Sequence, residues 1–279
     1  MALSSAASFM ISNTFANLSY QDGVNPLTIS ATRFILPAIA LVIFLKILRI
    51  NLTLPKRTGL ICILLGVITV VYTLALLNAI ALLPFAIAIL IFYLFPVITG
   101  LTLSILGLKK LTLRMGVTTL IAFLGLALAL GVEFVNLDGL GMIFALIAAL
   151  GLASISIISN QLVSKQDPRI ITLYICVYTT LLMSFICLAT GELAFPVTLI
   201  GWTNVTISII FYAYAMIAFF FAISIIGAGD TTFYSNFEPI LAVVSGFLFL
   251  GQNLVMLQYV GIFIVVIALF LSENKSKSN

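Results

Sequence analysis

The sequence predicts an all-α membrane protein of ten transmembrane helices, arranged as two inverted five-helix repeats. Three observations lead there. Apolar side chains make up 63% of the 279 residues and charged ones only 7%, with a mean hydropathy of +1.33. Charged residues bracket apolar runs of about twenty residues, enough to cross a hydrocarbon core at ~1.5 Å per residue. A frame of prolines and glycines also occurs twice: Pro26, Pro96 and Gly107 recur as Pro168, Pro239 and Gly251, at offsets of 142, 143 and 144 residues. Soluble domains carry roughly 25% charged residues, and a β-barrel would alternate over segments of about ten. Neither pattern fits.

Ten spans follow, at about 2–20, 27–46, 58–79, 83–106, 113–132, 139–162, 170–190, 203–225, 231–250 and 254–271. The first is only weakly apolar, holding Ser4, Ser5, Ser8, Ser12, Asn13, Asn17 and Ser19. It has no basic start and no clear cleavage site, so it reads as a shielded or cavity-lining helix rather than a removable leader. The second and seventh open at Pro26 and Pro168, the residue type best suited to a first helical position. The fourth and ninth are interrupted by Pro96 and Pro239 and closed by Gly107 and Gly251, which mark hinge or packing points. Gly100 and Ser104, Gly116 and Gly125, and Ser245 with Gly246 suit close helix approach. Trp202 reads as an interface anchor of the eighth span. The stretch from Ile226 to Asp230 reads as a tight turn with Asp230 capping the ninth helix, gating being the alternative role.

Charge sets the orientation. With the N-terminus inside, the cytoplasmic connections and tail receive Lys46, Arg49, Lys56, Arg57, Lys109, Lys110, Arg114, Lys165, Arg169, Lys275 and Lys277, eleven of the twelve basic residues. The far side receives Asp22, Glu133, Asp138 and Glu192 and no basic residue. This is the positive-inside bias, and it predicts that both termini are cytoplasmic. Five spans per half is an odd number, so the second copy enters upside down. The slot after Gly107 is basic (Lys109-Lys110) and its counterpart after Gly251 is neutral (Gln252-Asn253), as inversion requires. The repeats are placed at 1–134 and 138–271, with a tail at 272–279.

The run from Asn236-Phe237-Glu238-Pro239 to Leu250-Gly251-Gln252-Asn253, continuing through Gln258 and Gly261, resembles the second-repeat signature of EamA proteins in the drug/metabolite transporter superfamily. Phe95-Pro96-Val97 through Leu106-Gly107 resembles its first-repeat partner, and Thr32-Arg33-Phe34 the usual opening of the second helix. The resemblance covers nearly the whole chain. It implies a ten-helix bundle that moves small organic metabolites, often amino acids, outward across the cytoplasmic membrane. Where the family often has Glu after each closing glycine, this chain has Leu108 and Gln252.

Polar groups inside lipid cost free energy and are rarely idle. Arg33 is the one basic residue outside the cytoplasmic connections and tail. It either binds substrate or snorkels and bonds to helix carbonyls. Glu238 lies about 12 Å into the ninth span, directly before Pro239. Three roles compete for it: proton carrier, counter-charge to an amine, or partner of Arg33. The remaining candidate binding residues are Asn13, Asn17, Tyr72, Tyr93, Asn160, Tyr178, Tyr214, Tyr234 and Asn236, which suit amphipathic ligands because each offers a polar handle. Tyr212 joins this polar scatter without entering the set. Interhelical hydrogen bonding is the plainer role for each taken singly.

Absences narrow the function. There is no histidine, and Cys62, Cys176 and Cys187 stand isolated, so no metal or cofactor is expected. No Gly-rich loop leads into a Lys-Ser/Thr pair, which argues against an ATP-driven engine in this chain. The net charge of +4 reports topology rather than nucleic-acid binding. The expected function is secondary export or exchange of a small metabolite by alternating access, not catalysis, with protons as a second partner if Glu238 carries them. A lipid-linked-substrate flippase on the same fold, or a membrane assembly protein, is the alternative. Whether the protein acts as monomer or homodimer is open.

Overall fold

The computed structural model describes residues 1–108, 112–131, 138–250 and 255–273. Gly251, the Lys109-Lys110 pair and its counterpart Gln252-Asn253 lie outside the described residues. Among the described residues there are twelve helices: α1 (Ala2–Tyr20), α2 (Pro26–Thr32), α3 (Ile35–Ile47), α4 (Lys56–Leu82), α5 (Phe85–Phe92), α6 (Phe95–Ile105), α7 (Leu113–Ala129), α8 (Gly139–Val163), α9 (Pro168–Thr190), α10 (Leu199–Tyr234), α11 (Phe237–Leu250) and α12 (Met256–Glu273). Among the described residues there is no strand.

Among the described residues six stretches are long and apolar enough to cross a membrane: Pro26–Ile47, Lys56–Ile80, Ala86–Ile105, Gly139–Val163, Pro168–Thr190 and Leu199–Tyr234. Gly116–Ala129 and Met256–Ala268 are shorter apolar stretches. The chain is a multi-pass membrane protein. The serine-rich α1 is helical over its expected length but is not one of the six.

The duplicated prolines have a local physical basis. Pro26 and Pro168 each stand at the first helical position, where a missing N–H costs nothing. Asn25 and Asp167 cap them, accepting from the backbone N–H of Thr28 at 2.7 Å and of Arg169 at 2.9 Å. Pro96 and Pro239 follow two-residue interruptions at Tyr93-Leu94 and Ser235-Asn236. A proline cannot donate to the carbonyl four residues back, so the helical ladder skips there. The second span is interrupted in the same way, at Arg33-Phe34, because Pro37 leaves the carbonyl of Arg33 without its helical donor. Arg33 keeps helical backbone angles (φ −65°, ψ −22°), so the ladder breaks without unwinding.

Two glycines make sharper features. Gly107 (φ +67°) ends α6, with its N–H on Ser104 O and the Leu108 N–H on Leu103 O; this left-handed position favours glycine. Gly227 (φ +81°, ψ 165°) kinks α10. Helix resumes directly after it, so Asp230 falls inside the helix and not at its cap. This corrects the capping assignment.

The chain divides into two compact units that cut across the sequence repeat. Unit 1 comprises Met1–Leu74 and Ile158–Gly227; unit 2 comprises Ala75–Ile157 and Ala228–Asn279. Within unit 1, α9 packs on both α2 and α3, so the second and seventh spans of the repeat meet. Ser12 and Ser208 exchange hydrogen bonds between α1 and α10, each hydroxyl donating to the other's carbonyl at 2.8 Å. Ser5 likewise donates to Ala215 O at 2.8 Å, so these two serines of α1 face α10 and are satisfied there. Within unit 2, α7 packs along α12, the fifth and tenth spans of the repeat. Gly125 and Gly261 permit the approach: a Cβ at Gly261 would stand 2.3 Å from Ala129 N.

Candidate functional site

Unit 1 holds a cation among aromatic rings. Tyr212, on α10, is 4% exposed, and the guanidinium carbon of Arg33 stands 4.6 Å from its ring centroid. Phe9 and Phe34 meet the same ring edge-on at 5.4 Å and 5.2 Å. Tyr72 of α4 hydrogen-bonds the Tyr212 hydroxyl, and Tyr20 at the end of α1 feels the charge of Arg33. Stacking on an aromatic face partly compensates a cation for lost water. It does not serve the in-plane N–H groups, and one of them, Nε of Arg33, is buried without a hydrogen-bond partner among the described residues.

The other acceptors of unit 1 are engaged or distant in role. Asp22 accepts from the backbone N–H of Val197 and Thr198 at 3.0 Å and 2.9 Å. Asp167 pairs with Arg169 at 2.5 Å, and these hydrogen bonds hold its carboxyl below the usual carboxylate range. Among the described residues, three more buried hydroxyls lack partners, those of Ser159, Thr179 and Thr180, and all belong to unit 1. Elsewhere helical hydroxyls bond the preceding turn, as Thr69 does to Leu65 O and Thr172 to Pro168 O.

Unit 2 holds a carboxyl at a helix interruption. Glu238 lies in the first turn of α11 and accepts a hydrogen bond from Tyr93, which is 4% exposed at the α5–α6 interruption. Phe92, Tyr93 and Phe95 form a ring cluster with centroids 5.5 Å apart. Asn236 is buried at the facing interruption, its amide donating to Phe233 O at 2.8 Å. The two proline interruptions therefore come together through Tyr93 and Glu238. A cavity of about 370 Å³ opens nearby between α6, α7 and the end of α10, lined among others by Pro96, Gly100, Gly116, Phe123, Asp230 and Phe233. Its wall includes neither Glu238 nor the candidate tyrosines.

The other candidates scatter. Asn13 and Asn17 stand exposed one turn apart on α1. Tyr178 packs at the α4–α9 contact, where a Cβ on Gly66 would meet its Cβ at 2.8 Å. Asn160 lies beside the Gly227 kink, and Tyr234 meets Phe233 edge-on at 6.0 Å. Tyr214 is 52% exposed and donates to Ser4 Oγ at 3.2 Å. Two residues apart on a helix, Tyr212 and Tyr214 point to different sides, and it is Tyr212 that receives Arg33. Sequence spacing could not choose between them, since α10 is apolar all round. Among the described residues no group of three His, Cys, Asp or Glu side chains could hold a metal.

Comparison with known proteins agrees with this architecture. One solved crystal structure superposes with a TM-score of 0.77 at 17% identity, covering 98% of this chain and 97% of that one; the likeness concerns the fold. Among curated proteins none matches. The model of the EamA-like transporter family matches twice, over residues 1–131 and 139–273. With nearly the whole chain matched in two copies, this protein belongs to the EamA-like transporter family of the drug/metabolite transporter superfamily.

Proposed function

We propose that the protein is a secondary exporter or exchanger of a small organic metabolite, working by alternating access between two inverted repeats, with Glu238 as the group that takes up and releases a proton. The observation that carries this reading is the Tyr93–Glu238 hydrogen bond across the two proline interruptions. A phenol hydroxyl donates to a carboxylate and accepts from a carboxylic acid. Glu238 therefore keeps a partner in both protonation states, as a carrier must. Carboxyls in a transmembrane segment are costly and serve proton or substrate pathways, and discontinuous helices mark transporter sites. Duplicated segments with their partners drawn from opposite copies support a two-part machine of this kind.

The test is a metabolite efflux screen in cells overexpressing the protein, with Glu238→Gln alongside. Accumulation of one compound class outside the cells, reduced and made insensitive to pH in Glu238→Gln, is the expected result. A Glu238→Gln protein that exports with the normal pH profile rules out the carrier role.

A further inference from the structure

We propose that the stretch from Gly191 to Trp202 is an interfacial strap, sunk among lipid headgroups and upper acyl chains between α9 and α10 and held there by Asp22. It rests on the multi-pass membrane character of the chain and not on the transport reading. The backbone is non-helical from Gly191 to Thr198, and burial alternates along it. Leu193, Phe195 and Val197 are exposed, Val197 at 86%, while Ala194 is half-buried and Pro196 buried. Leu199 and Ile200 carry the exposed apolar face on into α10 at 80% and 73%. Trp202 stacks flat on Phe195, with ring centroids 6.2 Å apart and planes 10° from parallel. Glu192 is the one charged residue of the stretch. A connection in water turns polar side chains outward; this one turns out its large apolar ones, which marks an interaction surface.

Backbone hydrogen bonding points the same way. Irregular backbone is tolerated at membrane depth only where protein meets its polar groups. Here the turn between α1 and α2 meets them. Asp22 Oδ2 accepts from the N–H groups of Val197 and Thr198 at 3.0 Å and 2.9 Å. Thr28 Oγ1 accepts from the Ala194 N–H at 3.0 Å, and the Asn25 amide donates to Glu192 O. The Gly191 N–H bonds Cys187 O at 3.0 Å, and Pro196 has no N–H to satisfy. A Cβ at Gly201 would collide with the Asp22 carboxylate, so glycine there lets the carboxylate seat against the first turn of α10. A loop in water needs no such provision, because solvent serves its donors. The exposed face is continuous with the apolar stretch Leu199–Tyr234, which is long enough to cross the membrane. It therefore belongs to the lipid interface rather than to a protein partner, at the depth where amphipathic rings such as that of Trp202 settle.

The experiment uses the full chain in phosphatidylcholine vesicles and tryptophan fluorescence, Trp202 being the one tryptophan of the sequence. Val197→Trp in a Trp202→Phe background moves the reporter onto the strap. The quenchers are acrylamide on both faces and phospholipids with a nitroxide either high or deep in the acyl chain. Acrylamide should quench the reporter at least about threefold less than free N-acetyltryptophanamide, and the high nitroxide should quench it more than the deep one. Asp22→Ala strands two N–H groups in lipid and should raise acrylamide quenching at least about twofold, whereas Asp22→Asn keeps an acceptor and should raise it less. If Val197→Trp does not fold, Phe195→Trp with Trp202→Phe exchanges the two rings of the stack and gives the same readout. A smaller protection from acrylamide places the strap in water and overturns the proposal. Stronger quenching by the deep nitroxide overturns it too, by placing the strap in the hydrocarbon core. A reporter shielded from acrylamide and from both nitroxides marks a protein contact, such as a second copy of this chain, and overturns the lipid assignment. An unchanged reporter in Asp22→Ala overturns the role of Asp22.

Discussion

Tyr93 and Glu238 are joined by a hydrogen bond that links the interruption before Pro96 to the interruption before Pro239. Each proline withdraws a donor from the carbonyl four residues back, so the chain carries loosened backbone on both sides of one carboxyl. The first copy has Phe95 where the second has Glu238, so the carboxyl occurs in one copy of the repeat only.

Substituting Glu238 should separate charge from shape. Glu238→Asp keeps a titratable carboxyl but shortens its reach toward Tyr93, so transport should slow while remaining pH-dependent. Glu238→Gln keeps the reach and removes the titration, so the rate should vary less than about twofold between pH 6 and pH 8. For one titrating group the protonated fraction changes by up to about tenfold per pH unit. Efflux measured in whole cells over that range distinguishes the two variants.

Removing the proline interruptions should trade movement for stability. Alanine at Pro96 or Pro239 restores a helical donor, and proline costs roughly 3 kcal/mol relative to alanine inside a helix. Both variants should melt at the wild-type temperature or above and should export several-fold more slowly. A proline-free variant that transports at the full rate would count against a hinge at that interruption. Pro37→Ala makes the same comparison for the interruption that carries Arg33.

Asp167 links charge to stability at a helix start. Its carboxyl is held below the ordinary carboxylate range, first by the Arg169 side-chain hydrogen bond. A depressed carboxyl contributes stability above its unfolded pKa of about 3.9 and loses it as pH falls through the folded value. Asp167→Asn keeps an N-cap acceptor and removes the charge. It should therefore lower the melting temperature slightly at pH 7 and less at pH 3, where the unfolded carboxyl is already mostly protonated, the pair being partly exposed and worth about 1 kcal/mol at most. Asp167→Ala also removes the cap, adding about 1 kcal/mol, and should be the less stable variant at both values.

Much of this architecture is legible in residue types with one dominant physical role. Pro26 and Pro168 sit at first helical positions because proline is tolerated there, and Gly107 ends α6 because its φ of +67° favours glycine. Hydropathy locates the apolar stretches. The site is only partly legible. Glu238 and Arg33 stand out as charges in lipid, but their partners come from distant segments: Tyr93 is 145 positions from Glu238 and Tyr212 is 179 from Arg33. No local spacing encodes such contacts. The interruption at Arg33 escapes a reading based on the repeat, because its signal, Pro37, has no counterpart in the other copy. Asp230 departs from its expected cap because the Gly-Ala-Gly stretch reads as a turn, whereas Gly227 alone absorbs the kink and helix resumes at once.

The signature residues Gly261 and Gln258 prove to be packing residues, and this too is testable. Gln258 reaches across to Ala129 O at 3.3 Å, and its side-chain oxygen accepts from the Val255 N–H at the start of α12. At Gly261 the neighbours are backbone: an added Cβ would stand 2.3 Å from Ala129 N and 2.6 Å from Gly125 O. Backbone cannot rotate away as a side-chain tip can, so α7 and α12 would have to separate, losing contact along their length. Overpacking of this kind costs about 1–3 kcal/mol. Gly59, in the first turn of α4, has open space where a Cβ would go, with nothing within 4 Å, and alanine there gains up to about 1 kcal/mol of helix propensity. Gly261→Ala should thus melt several degrees below wild type in detergent and Gly59→Ala at or above it. Equal melting temperatures for the two variants would show that α7 and α12 do not approach as closely as their glycines allow.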